Sequence, residues 1–232
     1  MPHFDIVGLV KKYHYKPVLD GLSFTLADGD FCVLVGDNGS GKTTLLRILA
    51  TLIQADAGDI ALDGEPLGEN PAQRQRIGYV GHQVMFYHDL SAAENLMHYA
   101  HLYRCPQHSE RVQESLRLAG LENQQEQPVR TFSRGMLQRL SIARAILHDP
   151  DILLFDEPYT GLDKEAAQTL DRRLAALHQP GRVIFLAAHQ PRRLISLASH
   201  IAWLKDGKIN HHLPTTGLAA APDLLAYLQE AQ

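Results

Sequence analysis

Short apolar runs alternate with longer amphipathic stretches along this chain, and the alternation predicts an α/β fold. Phe31-Cys32-Val33-Leu34-Val35, Ile77-Gly78-Tyr79-Val80, Ile152-Leu153-Leu154-Phe155 and Val183-Ile184-Phe185-Leu186 read as buried strands. Between them lie helical patterns. Leu45–Leu49 opens one helix. Ser91-Ala92-Ala93-Glu94 is a capping box that starts another, running to about Tyr103. A further helix spans about Ser109 to Ala119, with Gly120 at its C-terminus. Ser133 reads as the N-cap of a helix whose apolar stripe is Leu137, Leu140, Ala143 and Leu147. The last long helix runs from about Lys164 to His178 and stops at Pro180-Gly181.

Residues 1 to about 35 and about 58 to 68 look like short strands, with Asp63-Gly64 as a hairpin turn. They predict an antiparallel sheet beside the parallel one. The expected organisation is one domain over residues 1–232. Its core takes about 1–83 and 150–210, a helical subdomain is inserted at about 84–149, and a tail occupies about 211–232. From about Pro214 the tail reads as a loop and a short helix, too short for an added regulatory domain.

Composition narrows the setting. The chain has 232 residues, 45% of them hydrophobic, enough for a sizeable core. Its net charge is −4 and no block of Lys or Arg stands out, which argues against a nucleic-acid surface. Cys32 and Cys105 are far apart and form no metal or redox motif, so Cys32, inside a strand, reads as a small buried hydrophobe. No apolar run approaches bilayer-spanning length and no signal-peptide pattern opens the chain. Any path through a membrane would have to come from another chain.

The strand at 31–35 leads into Gly36-Asp37-Asn38-Gly39-Ser40-Gly41-Lys42-Thr43-Thr44, which fits G-x-x-x-x-G-K-[ST]. Glycines let backbone N–H groups converge on β- and γ-phosphate oxygens, and a helix N-terminus adds partial positive charge. Lys42 adds a full charge, and the Thr43 hydroxyl is placed to ligate Mg²⁺. The strand at 152–155 ends in Asp156-Glu157. Successive strand side chains alternate faces, so two acids at the tip cannot both decorate one exposed face. Asp156 is expected to hold Mg²⁺ and Glu157 to polarise a water against the γ-phosphate.

Further segments carry a family resemblance. Arg130–Leu147, containing Phe132-Ser133-Arg134-Gly135-Met136, resembles the signature segment of ABC ATPases, commonly L-S-G-G-Q before a Q-R helix. Gln83 is similar to the Q-loop glutamine, Thr160-Gly161-Leu162-Asp163 to the D-loop, and His189 to the switch histidine. Tyr13 stands where the family stacks an aromatic ring on adenine, with Tyr15 as the alternative. The resemblance covers nearly the whole chain. It implies the P-loop ABC ATPase fold: a RecA-like core, an antiparallel β subdomain and an inserted helical subdomain.

The resemblance also implies ATP and Mg²⁺ as cofactors. Gln83 would join Thr43 and Asp156 at the metal, and Gln83, Lys42 and His189 would act with Glu157 in hydrolysis. Ser133, Gly135 and Asp163 would complete the ATP site of an opposite subunit in a head-to-tail dimer. An integral membrane transporter subunit is the implied partner, with this chain peripheral on the cytoplasmic side of the cell membrane.

Within the signature Arg134 replaces a glycine and Met136 the glutamine. A cation in the first helical turn opposes the helix dipole by a few tenths to about 1 kcal/mol, which points to a phosphate-facing or partner-facing role. Gly81-His82-Gln83, Leu90–Leu96, the signature and Phe155–Asp163 together resemble the ATP-binding subunit of the haem exporter in cytochrome c maturation. Drug and polysaccharide exporters share parts of these segments. A soluble ABC protein acting on ribosomes or DNA usually carries two cassettes or a coiled-coil insert, whereas about fifty residues separate Gln83 from Ser133 here. Phe86 and Tyr87 are either anchors for a membrane subunit or core of the helical lobe. His98, His101 and His211-His212 read as solvated or subunit-facing histidines, with no Cys, Asp or Glu at ligand spacing.

Overall fold

The structure is a computed structural model and describes residues 3–81, 85–188 and 193–230. Two sheets form it. The first is antiparallel: β1 (Phe4–Tyr13), β2 (Lys16–Leu26), β4 (Ala57–Leu62) and β5 (Glu65–Pro66), in the order β2-β1-β4-β5. The second contains β3 (Phe31–Val35), β6 (Ile77–Val80), β7 (Ile152–Asp156), β8 (Val183–Ala187), β9 (His200–Lys205) and β10 (Lys208–Pro214). Its order is β10-β9-β3-β8-β7-β6, parallel throughout except for the β9–β10 hairpin at one edge. That hairpin was not among the expected strands, although Ile201–Leu204 is an apolar run and Asp206-Gly207 a turn pair.

The helices are α1 (Lys42–Leu49), α2 (Pro71–Arg74), α3 (Ala92–Leu102), α4 (His108–Ala119), α5 (Arg134–Ile146), α6 (Lys164–Leu177) and α7 (Pro222–Glu230). Ser91 and Glu94 form the reciprocal capping box of α3, and Gly120 caps α4 in the left-handed region. Asp63 and Gly64, both at positive φ, turn β4 into β5.

Side-chain alternation along the parallel strands creates two cores. Cys32, Leu34, Leu154 and Phe185 face α1 and the antiparallel sheet. Phe31, Val33, Val35, Leu153, Phe155, Ile184 and Leu186 face α5, α6 and α7. Burial raises the Cys32 thiol pKa, as an inert core residue requires. A third cluster lies in the helical lobe, where Leu96, Ala100, Val112 and Leu116 meet Leu140, Ala143 and Leu147. Helix α5 therefore serves both sides: its expected stripe faces the lobe, while Ile142, Ala145 and Ile146 face the sheet.

Candidate nucleotide-binding site

The ends of β3 and β7 are separated in the sheet only by β8, which brings the 36–44 loop beside Asp156 and Glu157. Gly41 begins α1 in a left-handed conformation, φ 108°, and no side chain caps the helix. A Cβ there would lie 2.9 Å from Leu19 Cδ2 and 3.0 Å from the Val18 carbonyl oxygen, so β2 presses on the loop and excludes larger residues. The first-turn N–H groups of α1 thus lack a side-chain acceptor, the arrangement that suits an anion. Ser40 Oγ is buried without a hydrogen-bond partner, a second polar group suited to a phosphate oxygen. Asp37, Asn38, Gly39 and Thr44 lie on the same loop and helix turn.

Lys42 is 5% exposed and reaches back across the loop, donating to Gly36 O at 2.7 Å and Asp37 O at 3.0 Å. Burial lowers its pKa, and the carboxylates of Glu157, Asp156 and Asp37 oppose that effect. Thr43 Oγ1 donates to Asp156 Oδ1 at 2.9 Å, and Tyr79 OH to Asp156 Oδ2 at 3.3 Å. The Tyr79 phenol is pushed up to about 12, first by burial and then by the Asp156 charge. A hydroxyl and a carboxylate held together are hard oxygen donors and fit Mg²⁺, which commonly takes one or two carboxylates and completes its shell with phosphate and water.

Glu157 does not continue the strand alternation. It adopts a left-handed conformation, φ 51°, costing about 1–3 kcal/mol for a non-glycine residue. Its N–H donates to Ala187 O at 3.1 Å, and its Oε1 lies 4.0 Å from Lys42 Nζ. Both acids therefore address the phosphate loop, Asp156 through Thr43 and Glu157 through Lys42. A regular strand would have put them on opposite faces; the left-handed turn at Glu157 is what brings its carboxylate beside Lys42.

Gln83 and His189 fall outside the described residues. Tyr13 ends β1, 44% exposed, with Lys11 Nζ 5.7 Å from its ring centroid. Tyr15 shares no strand face with it, because His14 and Tyr15 form a tight turn at φ 47° and 67°. Ser133 Oγ accepts from Met136 N at 3.3 Å and caps α5. Gly135 and Ser133 border a cleft of about 440 Å³ shared with Gly161, Leu162 and Asp163, on the signature side of the molecule. Asp163 caps α6, accepting from Ala166 N at 2.8 Å. Arg134 lies over Gly161, whose Cβ, if it had one, would collide with the guanidinium. The signature cation thus packs on its own chain's D-loop segment.

Phe86 belongs to the lobe core, so only Tyr87, 56% exposed, remains of the two expected anchors. Met85 is equally open at 65%. The fully buried Asn95 fixes this segment by accepting from Tyr87 N at 2.8 Å and donating to Tyr87 O at 3.0 Å and Ser91 O at 2.9 Å. His98 lies edge-on to Tyr87, and His101 packs on His108 with centroids 4.2 Å apart. Among the described residues no group of three or more His, Cys, Asp or Glu could hold a metal.

The family model described as ABC transporter matches residues 19–160, from within β2 to just beyond β7. The chain belongs to that family. It is 38% identical over 188 residues to the Nod factor export ATP-binding protein I of Ralstonia nicotianae, covering 80% of this chain and 59% of that protein. The chain thus spans about three fifths of that relative. It is 36% identical over 182 residues to the ABC transporter ATP-binding protein NatA of Bacillus subtilis, covering 77% and 74%. A dimeric post-hydrolysis structure of the ATP-binding cassette MJ0796, bound to ADP and Pi, superposes with a TM-score of 0.82 at 25% identity, covering 91% of this chain and 98% of that one. The fold is the ABC ATPase fold.

Proposed function

We propose that this chain binds and hydrolyses ATP as the energising subunit of an ABC exporter, working in a head-to-tail dimer beneath a membrane partner. The observation that supports this best is the convergence of Lys42, Thr43, Asp156 and Glu157 on one uncapped helix N-terminus. Lys42 and the loop N–H groups would bind the β- and γ-phosphates. Thr43 and Asp156, with Gln83, would hold Mg²⁺, which when bound supplies charge neutralisation at the phosphates. Glu157 would accept the proton of the attacking water, while Gln83 and His189 would orient the water and γ-phosphate. Tyr13 would stack on the adenine. Ser133, Gly135 and Asp163 would complete the partner's site, since they lie on the signature side of their own chain.

The exposed side chains of Met85 and Tyr87, the latter held by Asn95, would dock on the membrane subunit, aromatic and Met side chains being favoured at such contacts. No helix among the described residues is long and apolar enough to cross a membrane, and the proposed place is the cytoplasmic membrane face. Steady-state hydrolysis tests the reading: MgATP turnover that Glu157→Gln abolishes is expected, and an inert wild-type chain with intact fold would sink it. Co-purification with a polytopic membrane protein, against co-sedimentation with ribosomes, separates a transporter from a soluble ABC protein.

Export is the direction carried by the name of the Nod factor export relative. The finer reading, haem-linked export in cytochrome c maturation, rests on the resemblance of Gly81–Gln83, Leu90–Leu96, Phe132–Met136 and Phe155–Asp163, and the Nod factor and NatA relatives lend it no support. Cargo is chosen mostly by the membrane subunit. Deleting the gene in its host should deplete covalently haem-bound c-type cytochromes under the haem reading. A deletion strain with normal c-type cytochromes leaves the exporter ATPase and removes haem.

A further inference from the structure

Between Glu157 and the cap of α6 the chain makes a tight turn whose middle is anchored at a distance. Thr160 N–H donates to Glu157 O at 3.2 Å and Leu162 N–H to Tyr159 O at 3.1 Å, so the backbone folds back on itself. Thr160 Oγ1 donates to Glu157 Oε2 at 3.4 Å, while Glu157 Oε1 is the oxygen near Lys42. Beside Thr160, Tyr159 packs against the apolar cluster that α6 shares with the sheet. Its hydroxyl donates to Asp171 Oδ1 at 2.7 Å, about two turns into α6. The other oxygen, Asp171 Oδ2, accepts from Arg193 Nε at 2.7 Å. The Arg193 guanidinium lies 5.8 Å from the centre of the Tyr159 ring, so three side chains from three segments close on one another. Burial, then the bond to Asp171, raises the Tyr159 phenol above its ordinary value, and it stays a donor at neutral pH.

A phenylalanine would fill the same space without needing a polar partner. What the hydroxyl and carboxylate add is a fixed direction, since a satisfied polar network rigidifies the groups it joins. Glu157 is the residue that needs this. A non-glycine residue keeps φ 51° only where its surroundings hold it there, and relaxation to an extended backbone would turn its side chain away from Lys42.

We propose that Tyr159 and Asp171 are positioning residues for hydrolysis: their bond, braced by Arg193, holds the 157–162 turn so that the Glu157 carboxylate stays beside Lys42. The proposal rests on the reading of Glu157 as the general base. It concerns the rate of the reaction and leaves nucleotide affinity to the phosphate loop.

The test takes Tyr159→Phe, Asp171→Ala and their combination in the full chain, with active sites counted by the stoichiometry of MgATP binding in calorimetry. Turnover per site should fall by about threefold to thirtyfold in each, while MgATP affinity changes less than about twofold. The combination should cost little more than the larger single change. In a Glu157→Gln background, measured under single-turnover conditions, Tyr159→Phe should slow hydrolysis less than about twofold further. An equal loss with and without Glu157, or a loss of affinity matching the loss of rate, overturns the proposal. Hydrogen exchange on the nucleotide-free chain gives a readout apart from activity. The amides of Thr160 and Leu162 should exchange at least about fivefold faster in Tyr159→Phe, and unchanged exchange overturns the proposal. Should both variants unfold, Arg193→Gln loosens Asp171 from the outside and should lower turnover per site in the same sense; unaltered turnover counts against the network. A folded wild type that binds MgATP without hydrolysing it would overturn the reading of Glu157 as base, and this inference with it, even if the turn were held as described.

Discussion

At the ends of β3 and β7 the charged groups meet within one chain, whereas the start of α5 opens on a cleft. Thr43 and Tyr79 donate to Asp156 at 2.9 and 3.3 Å, and Lys42 lies 4.0 Å from Glu157 beside them. Ser133 caps its own helix, and with Gly135 it borders a cleft whose other side is Gly161–Asp163 and α6. Both regions begin a helix, yet they use its N-terminus differently. The N-terminus of α1 has no side-chain cap and a buried cation beside it; that of α5 is capped by Ser133 and carries an exposed one, Arg134. The first is built to receive an anion alone. The second fits a role in which phosphate arrives with another subunit.

The largest effects should come from breaking the first region. Lys42→Ala removes both the bonds to Gly36 and Asp37 and the main phosphate charge, so MgATP binding should be lost. Glu157→Gln should keep binding while hydrolysis falls by about 10²–10⁴, the range for a general base, and an ATP-bound dimer should accumulate. Steady-state turnover and size exclusion with ATP check this pair, and near-normal turnover in Glu157→Gln would remove it as the base. The second region should behave otherwise. Ser133→Arg should abolish hydrolysis and leave MgATP binding to the monomer nearly intact. Wild-type turnover should rise more steeply than linearly with concentration when dilute. Strict proportionality at all concentrations, with no dimer detected, would make the comparison between the regions wrong.

A smaller effect is expected where the second region touches its neighbour. Gly161 has φ +75° beneath the Arg134 guanidinium. Gly161→Ala should destabilise the fold by about 1 kcal/mol from the backbone conformation, with an added penalty from displacing Arg134. Urea unfolding of Gly161→Ala with and without Arg134→Ala separates the two contributions. A cost unchanged by Arg134→Ala would show that the packing of arginine on glycine carries no energy.

The first region was more legible in the sequence than the second for a physical reason. Phosphate binding demands particular residues at fixed spacing, so Gly36–Thr44 and Asp156-Glu157 declare themselves without a fold. Where backbone conformation decides direction, periodicity misleads. Strand alternation does not foresee the left-handed turns at Glu157 and Tyr15, φ 51° and 67°, which decide where those side chains go. Phe86 and Tyr87 were indistinguishable as apolar neighbours until the lobe core took one of them. Tyr79 and Asn95 were not singled out at all, since a lone tyrosine or asparagine has no spacing signal and gains meaning only from what the fold sets beside it.

The smallest expected effect concerns how the signature helix is anchored to the core. His148, just beyond α5, has Nε2 3.2 Å from Ile77 O of β6, and its ring packs on Tyr103 of the lobe at 4.4 Å. Its Nδ1 is buried without a partner, so protonation there has no acceptor to receive it. Burial lowers the His148 pKa below the ordinary 6.5, with the Ile77 bond and Asp149 opposing. The fold therefore prefers the neutral ring. Its contribution is complete above the unfolded value and is lost as pH falls from there through the lower folded value. Burial lowers the pKa of His212 as well, so wild type should lose stability below neutrality for both reasons. His148→Gln keeps a donor for Ile77 O and cannot titrate. Its urea midpoint should fall less than that of wild type between about pH 7.5 and about pH 5.5, the interval in which histidine changes charge. Parallel pH profiles would show that the junction between signature helix and core does not feel this proton.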